Sequence, residues 1–172
     1  MRPTERIKEA QRVLEAEAKA IFASSKKISL NFSKCIDLMI NCKGTVVISG
    51  IGKSGNIGKK ITSTLASLGT PSIFLHTSDA FHGDLGILRR DDLLICISNS
   101  GETDELVRLL NYANRNSIKS IAITGNVNST ISKEASVSLN SSVESEACPL
   151  NLAPTCSTSV TMALGDALAS IC

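Results

Sequence analysis

Tryptophan is missing from the chain, tyrosine occurs once (Tyr112), and aromatic residues make up 3% of its 172 residues. So little flat, stackable surface leaves little material for a platform on which nucleotide bases could stack. Strong net charge is missing too. The 18 basic and 16 acidic side chains nearly cancel, so no long-range field draws in nucleic acid or an anionic membrane. No apolar run approaches the roughly 18 residues of a membrane-crossing helix. The opening MRPTERIKEAQR is too charged for a signal peptide. The six cysteines (Cys35, Cys42, Cys96, Cys148, Cys156 and Cys172) include no C-x-x-C pair. That argues against a zinc knuckle or a disulfide framework and for reduced thiols in a cytoplasmic protein. Only two histidines occur, His76 and His82. Without clustered cysteine or aspartate partners they are a poor inventory for a catalytic metal.

What is present is an ordinary globular composition, 42% hydrophobic and 20% charged, at a length that suits one compact domain. Residues 3–23 carry Ile7, Ala10, Val13, Leu14, Ala18 and Ile21 at helical spacing, and a second helix is expected over 29–43, ending at Lys43-Gly44. From there short apolar runs alternate with helical patterns. TVVISG (45–50), PSIFLH (71–76), DLLICIS (92–98), KSIAIT (119–124) and SVSLN (136–140) read as strands. Helical patterns follow the first, third and fourth of them, and Pro154 opens a last helix. Five apolar strands alternating with helices predict a three-layer α/β/α sandwich around a five-stranded parallel sheet. The expected division is residues 1–43 as helices packing on the sheet domain, and 44–172 as that domain.

Ligands of such sheets bind beyond the carboxyl ends of the strands, which directs attention to the loops at 50–55, 77–84, 98–103 and 124–127. Gly50, Gly52 and Gly55 spell a literal G-x-G-x-x-G. The dinucleotide reading also wants an acid at the end of the next strand, where His76-Thr77-Ser78 stands instead. A phosphate-binding P-loop would need glycine at 47, which is Val47. Tight turning alone could explain the glycines, but not a cation, Lys53, inside the loop. The stretch LLICISNSGETDE (93–105) drives a buried strand into Ser98, Asn99, Ser100 and Gly101 at the start of a helix. Helix starts present unpaired N–H groups and a positive dipole end, and the hydroxyls of Ser98, Ser100 and Thr103 add donors for a phosphate. Plain capping is the competing explanation, since Ser and Asn are favoured caps and Glu102, Asp104 and Glu105 suit a first turn. One cap residue suffices, however, and four small polar residues stand in a row. A carboxylate beside a bound phosphate would repel it, so some of these acids must point elsewhere.

Taken together, GIGKSGNIG, HGDLG, ISNSGETDE and EACPLNLAPT resemble the sugar-isomerase (SIS) fold and, within it, the bacterial arabinose-5-phosphate isomerases, from about residue 44 onward. The resemblance implies interconversion of D-ribulose 5-phosphate and D-arabinose 5-phosphate, supplying Kdo for lipopolysaccharide or capsule. It implies a phosphate held by Ser98, Asn99, Ser100, Gly101 and Thr103, and further substrate contacts at Ser54 and at Gly69-Thr70. It places the functional lysine at Lys53, the active-site histidine at His82, and the two implicated glutamates at Glu105 and Glu146. His76 matches a histidine that can hold an inhibitory zinc ion, and no cofactor is required. Family members form homotetramers whose sites draw on more than one subunit. They continue into a Ser-His-Pro-Gly-Gly segment whose histidine is also implicated, and many then carry CBS domains. The expectation here is the isomerase domain alone.

The implied chemistry moves a proton between adjacent carbons, with Glu105, Glu146 or His82 as the base and Lys53 opposite the developing oxyanion. Two alternatives differ in kind: a phosphosugar sensor without turnover, and an isomerase of another sugar phosphate. A sensor of the transcription-regulator type would carry a basic helix-turn-helix ahead of the sheet. Residues 1–43 show two mixed-charge helices and no evident recognition helix.

Overall fold

A computed structural model describes residues 2–81 and 83–172. Five parallel strands form one sheet in the order β2-β1-β3-β4-β5. They are β1 (Val46–Gly50), β2 (Ser72–Phe74), β3 (Leu93–Ile97), β4 (Lys119–Thr124) and β5 (Val137–Asn140). In the centre, Val46 to Gly50 pair with Leu93 to Ile97, and Leu93 to Ile97 with Lys119 to Ile123. The strand period of two sends alternate side chains to opposite faces. Val46, Ile48, Leu93, Ile95, Ile97, Ile121 and Ile123 face one way, where α2 (Leu30–Ile40), α3 (Gly52–Ser67) and α7 (Cys156–Ile171) cover them. Val47, Leu94, Cys96 and Ala122 face the other way, under α4 (Thr77–Phe81), α5 (Asp104–Arg115) and α6 (Thr130–Glu134). Being buried on both sides explains why β3 reads as an unbroken apolar run and β1 as one interrupted by Ser49, whose hydroxyl donates to the Leu75 carbonyl at 2.7 Å. Each Leu or Ile so enclosed contributes about 1.5–3 kcal/mol. The α/β/α sandwich is as the sequence predicts.

The glycines after β1 have a packing reason. A Cβ at Gly50 would stand 3.1 Å from the Gly55 amide, and one at Gly55 would meet the Gly50 carbonyl at 2.8 Å. At Gly58 it would come within 3.0 Å of the Phe74 ring and 3.2 Å of Ile48. The glycines let α3 settle directly on β1 and β2, and Gly52, at φ +59°, turns the chain into the helix.

Three expectations are corrected in detail. The second helix stops at Ile40, because the Asn41 amide N–H and side-chain Nδ2 both donate to the Asp37 carbonyl, at 3.1 and 2.7 Å, and close its last turn. Gly44 is small because Asp91 and Asp92 crowd it, rather than because it caps a helix. The loop after β2 contains the short helix α4 and a 3₁₀ turn, Asp84–Ile87. Finally, α1 (Pro3–Ser25) lies along α7, yet its apolar stripe points outward: Ile7 is 60%, Leu14 70% and Phe22 65% exposed. Its inward side is small and polar instead, including Ala16, Ala20 and the buried Ser24. No helix among the described residues is long and apolar enough to cross a membrane. The six cysteines are unpaired, and burial pushes the Cys35 and Cys96 thiols up to about 12.

Candidate active site

The strand order reverses at β1: the chain leaves it for β2 on one side and returns to β3 on the other. A crevice opens at such a switch point, beyond the carboxyl ends of the strands. A cavity of about 440 Å³ lies there, within the usual range for small-molecule sites. Lys53 and Ser54 reach it from the first turn of α3, and Asn99 from the loop after β3. The opposite wall comes from the segment between β5 and α7 (Val143, Glu144, Ser145, Glu146, Asn151, Leu152 and Pro154) and from Ser157, Thr158 and Thr161 of α7. Ile57 and Val143 give part of the wall an apolar character.

Glu146 caps α7 from outside the helix. Its Oε2 accepts from the amides of Thr155 (2.7 Å) and Ser157 (3.2 Å) and from Thr155 Oγ1 (3.1 Å). Burial pushes its carboxyl up, and the hydrogen bonds from Ser157 and Thr155 together outweigh that and hold it below the ordinary carboxylate range. All three bonds fall on one oxygen. A negative group on the amides at a helix start is the arrangement the helix dipole favours, so the anion seat of α7 is taken by the protein itself.

Beside this cavity the 98–103 loop folds on its own hydroxyls. Ser98 Oγ accepts from the Gly101 amide at 3.0 Å and pairs with Thr103 Oγ1 at 2.8 Å, while Ser100 Oγ accepts from the Glu102 amide at 3.2 Å. Gly101 has φ +70°, and a side chain there would collide with Ser129. Asn99 and Ser100 are exposed while Ser98 and Gly101 are buried. The acids of this stretch part company. Glu102 turns away to α6, its Oε1 accepting from the Thr130 amide (2.9 Å) and its Oε2 from the Thr130 hydroxyl (2.7 Å), which holds its carboxyl below the usual range. Asp104 and Glu105 form the first turn of α5.

The sequence candidates therefore divide. Lys53, Ser54, Asn99 and Glu146 share the cavity. Ser98, Ser100, Gly101 and Thr103 form the loop next to it, and Glu105 stands half-buried on α5, outside the cavity lining. Gly69 and Thr70 line a separate cavity with Cys42, Gly44 and Cys172. They precede β2, at the amino ends of the strands, so within one chain they lie across the sheet from Lys53. His76 follows β2 and its Nδ1 accepts from the Ser78 amide at 3.3 Å. Among the described residues no three His, Cys, Asp or Glu side chains cluster to hold a metal. His82 lies outside the described residues. Sequence reasoning passed over Ser157, Thr158 and Thr161, although hydroxyls recurring at helical spacing just after Pro154 were a readable sign of a polar helix face.

The family model described as "SIS domain" matches residues 39–171. The chain belongs to the SIS domain family. This SIS domain is 50% identical over 163 residues, 95% of its length, to the arabinose 5-phosphate isomerase KdsD of Pseudomonas aeruginosa. It is 49% identical over 168 residues, again 95% of the chain, to the arabinose 5-phosphate isomerase KpsF of Escherichia coli O6:H1. It covers 50% of each of those two proteins, so the chain spans about half the length of the curated relatives it matches. Among solved structures, an E. coli CFT073 protein in complex with arabinose 5-phosphate superposes with a TM-score of 0.94 and 38% identity, over 99% of this chain and 90% of that one.

Proposed function

We propose that this SIS domain is an aldose–ketose isomerase that interconverts D-ribulose 5-phosphate and D-arabinose 5-phosphate through an enediol. One observation carries the reading: a lysine and an ionised, one-sidedly bonded glutamate face a common cavity, and a hydroxyl-rich helix-start loop adjoins it. The names of the two relatives and the sugar phosphate in the similar solved structure support the substrate class.

In this reading the phosphate takes over donors of the Ser98–Thr103 loop, which stands before the 12-residue helix α5. Glu102 has withdrawn from that loop to cap α6, so its charge does not oppose the phosphate. The sugar extends toward Lys53 and Glu146. Glu146 takes the C1 proton of ribulose 5-phosphate on its free oxygen, Oε1. The electron pair left on C1 forms the C1–C2 double bond, and the C2 oxygen takes up charge opposite Lys53 and then a proton. Returning the carbon-bound proton to C2, while the C1 hydroxyl gives up its own, yields the aldehyde of arabinose 5-phosphate. A placed base contributes about 10²–10⁴-fold. The depressed pKa keeps Glu146 ionised and ready to accept, at some cost in basicity. Glu105, outside the cavity lining, is the weaker candidate for the base, and His82 is the other candidate that the family resemblance implies. The reaction uses side chains alone, with zinc entering only as an inhibitor at His76.

The same reading places the protein in the cytoplasm, supplying Kdo for lipopolysaccharide or capsule, as a homotetramer. The outward stripe of α1 and the exposed Leu150 and Leu152 (75% and 78%) near the cavity mouth support assembly. Purified chain mixed with ribulose 5-phosphate is expected to form arabinose 5-phosphate, separable by anion-exchange chromatography. A chain that binds the ketose and leaves it unchanged is a sensor, and the proposal fails.

A further inference from the structure

The cavity wall formed by residues 142–147 has a peculiar setting. On one side, Val143, Glu144, Ser145 and Glu146 face the 440 Å³ cavity. On the other, Val143, Glu144 and Ser145 face a second cavity of about 370 Å³, whose far side is α1 through Ala16, Ala20 and Ala23. Val143 touches the core and Ala147 is buried, but Glu144 and Ser145 between them are exposed with open space on both sides, so packing holds this strap only in part and its hydrogen-bonded anchors do the rest.

Two of those anchors are cations, Arg12 of α1 and Lys27 just beyond its end. At the first end, Lys27 Nζ donates to the Ser142 carbonyl (2.7 Å) and to Ser142 Oγ (2.9 Å). At the other, Arg12 Nη2 donates to the Ala147 carbonyl (2.5 Å), one residue beyond Glu146. Arg12 is itself aimed by Glu9, which accepts from Nε (2.9 Å) and Nη2 (2.7 Å) in a forked pair. The helix is in turn pinned to α7, where the Ser159 hydroxyl donates to Glu17 Oε2 at 2.5 Å. All four α1 and α1-flanking residues, Glu9, Arg12, Glu17 and Lys27, precede the stretch that matches the family model. Within the strap, the Glu146 amide donates to Asn151 Oδ1 (2.7 Å) and the Ala147 amide to Thr155 Oγ1 (2.8 Å), so Arg12 pulls on the same short segment that seats Glu146 on α7.

We infer that Arg12 and Lys27 are positioning residues: they hold the 142–147 strap across the open space, and so fix Glu146 at the depth the reaction requires. The inference rests on the isomerase reading for its kinetic consequence, though not for the mechanical one. A misplacement of about 1 Å by a remote change can lower a rate roughly 100-fold.

The test uses the 172-residue chain as wild type, Arg12→Ala, Arg12→Lys and Lys27→Ala. In both alanine variants kcat for ribulose 5-phosphate is expected to fall about 10- to 100-fold with KM changed much less, because the phosphate loop lies elsewhere. The acid limb of the kcat–pH profile should move upward as Glu146 loses its fixed donors. Arg12→Lys retains one donor for the Ala147 carbonyl and should recover most of kcat. Hydrogen exchange supplies a readout independent of turnover: the amides of Glu146, Ala147, Thr155 and Ser157 should lose protection in the alanine variants while those of β1, β3 and β4 keep theirs. Unchanged protection in this segment in both variants overturns the inference, as does general loss of protection across the sheet in both. If the wild-type chain converts no ribulose 5-phosphate, the enzyme reading falls and the exchange pattern alone decides the role of the two cations.

Discussion

Glu146 combines two demands in one carboxylate: Oε2 ties down the start of α7, and in the proposed reaction Oε1 takes the proton from a sugar held in the cavity that Glu146 lines. Glu146→Gln keeps an oxygen for the helix amides and removes the proton acceptor. Solvent deuterium incorporation into ribulose 5-phosphate, followed by proton NMR, is therefore expected to drop about 10²–10⁴-fold with the fold intact. Normal incorporation would remove Glu146 from the base role. Its capping also predicts a pH dependence. A carboxyl held below its unfolded value of about 4.3 gives stability that is fully present above that pH and disappears as pH falls through the folded value. The stability gap between wild type and Glu146→Ala, from urea titrations, should be constant near neutrality and close in acid below about pH 4. Gly58 supplies the purely structural counterpart. Gly58→Ala brings a methyl against Phe74 and Ile48 and should lower stability by about 1–3 kcal/mol, measured by the same titrations. A helix that gained stability from the alanine would show that α3 is free to shift.

Among the elements, the loop between β3 and α5 yields the sharpest expectation. Ser98 is buried and its Oγ organises the loop by meeting Gly101 N–H and Thr103 Oγ1. Ser98→Ala should weaken binding of arabinose 5-phosphate by roughly 10–100-fold as the loop loses its organising hydroxyl, and should lower stability by about 1–3 kcal/mol because the buried Gly101 amide loses its acceptor. Calorimetric titration measures the binding, and unaltered affinity would move the phosphate elsewhere. The strands and this loop were legible because an apolar run fixes burial on both faces and four small polar residues have few other uses. The helix inside residues 77–81 was not: five residues, TSDAF, are too few to display a period. Periodicity likewise revealed α1 but not its orientation. A stripe of Ile7, Leu14 and Ile21 says that one face is apolar, and it does not say whether that face meets its own sheet or another molecule.

At the scale of the whole molecule, the sequence carried the architecture further than the site. Parallel strands joined through helices leave few topologies open, and the order β2-β1-β3-β4-β5 then dictates where a crevice forms. Which residues meet in that crevice depends on how the 142–147 strap crosses it, and no local pattern announces such a crossing. Lys53, Asn99 and Glu146 come together from three separate connections, whereas Gly69-Thr70 ends up at the opposite edge of the sheet. A tetramer in which neighbouring copies complete the site would reconcile that separation. If the proposed homotetramer forms, Leu14→Glu, placed at the 70%-exposed centre of the α1 stripe, is expected to shift sedimentation toward smaller species without unfolding the chain, and an unshifted profile would take α1 out of the interface. The most direct measurement is a crystal structure of the chain with arabinose 5-phosphate bound. The account predicts the phosphate on the Ser98–Thr103 amides and hydroxyls, with the sugar carbons reaching between Lys53 and Glu146. A phosphate seated elsewhere, or a sugar directed away from both side chains, would contradict it.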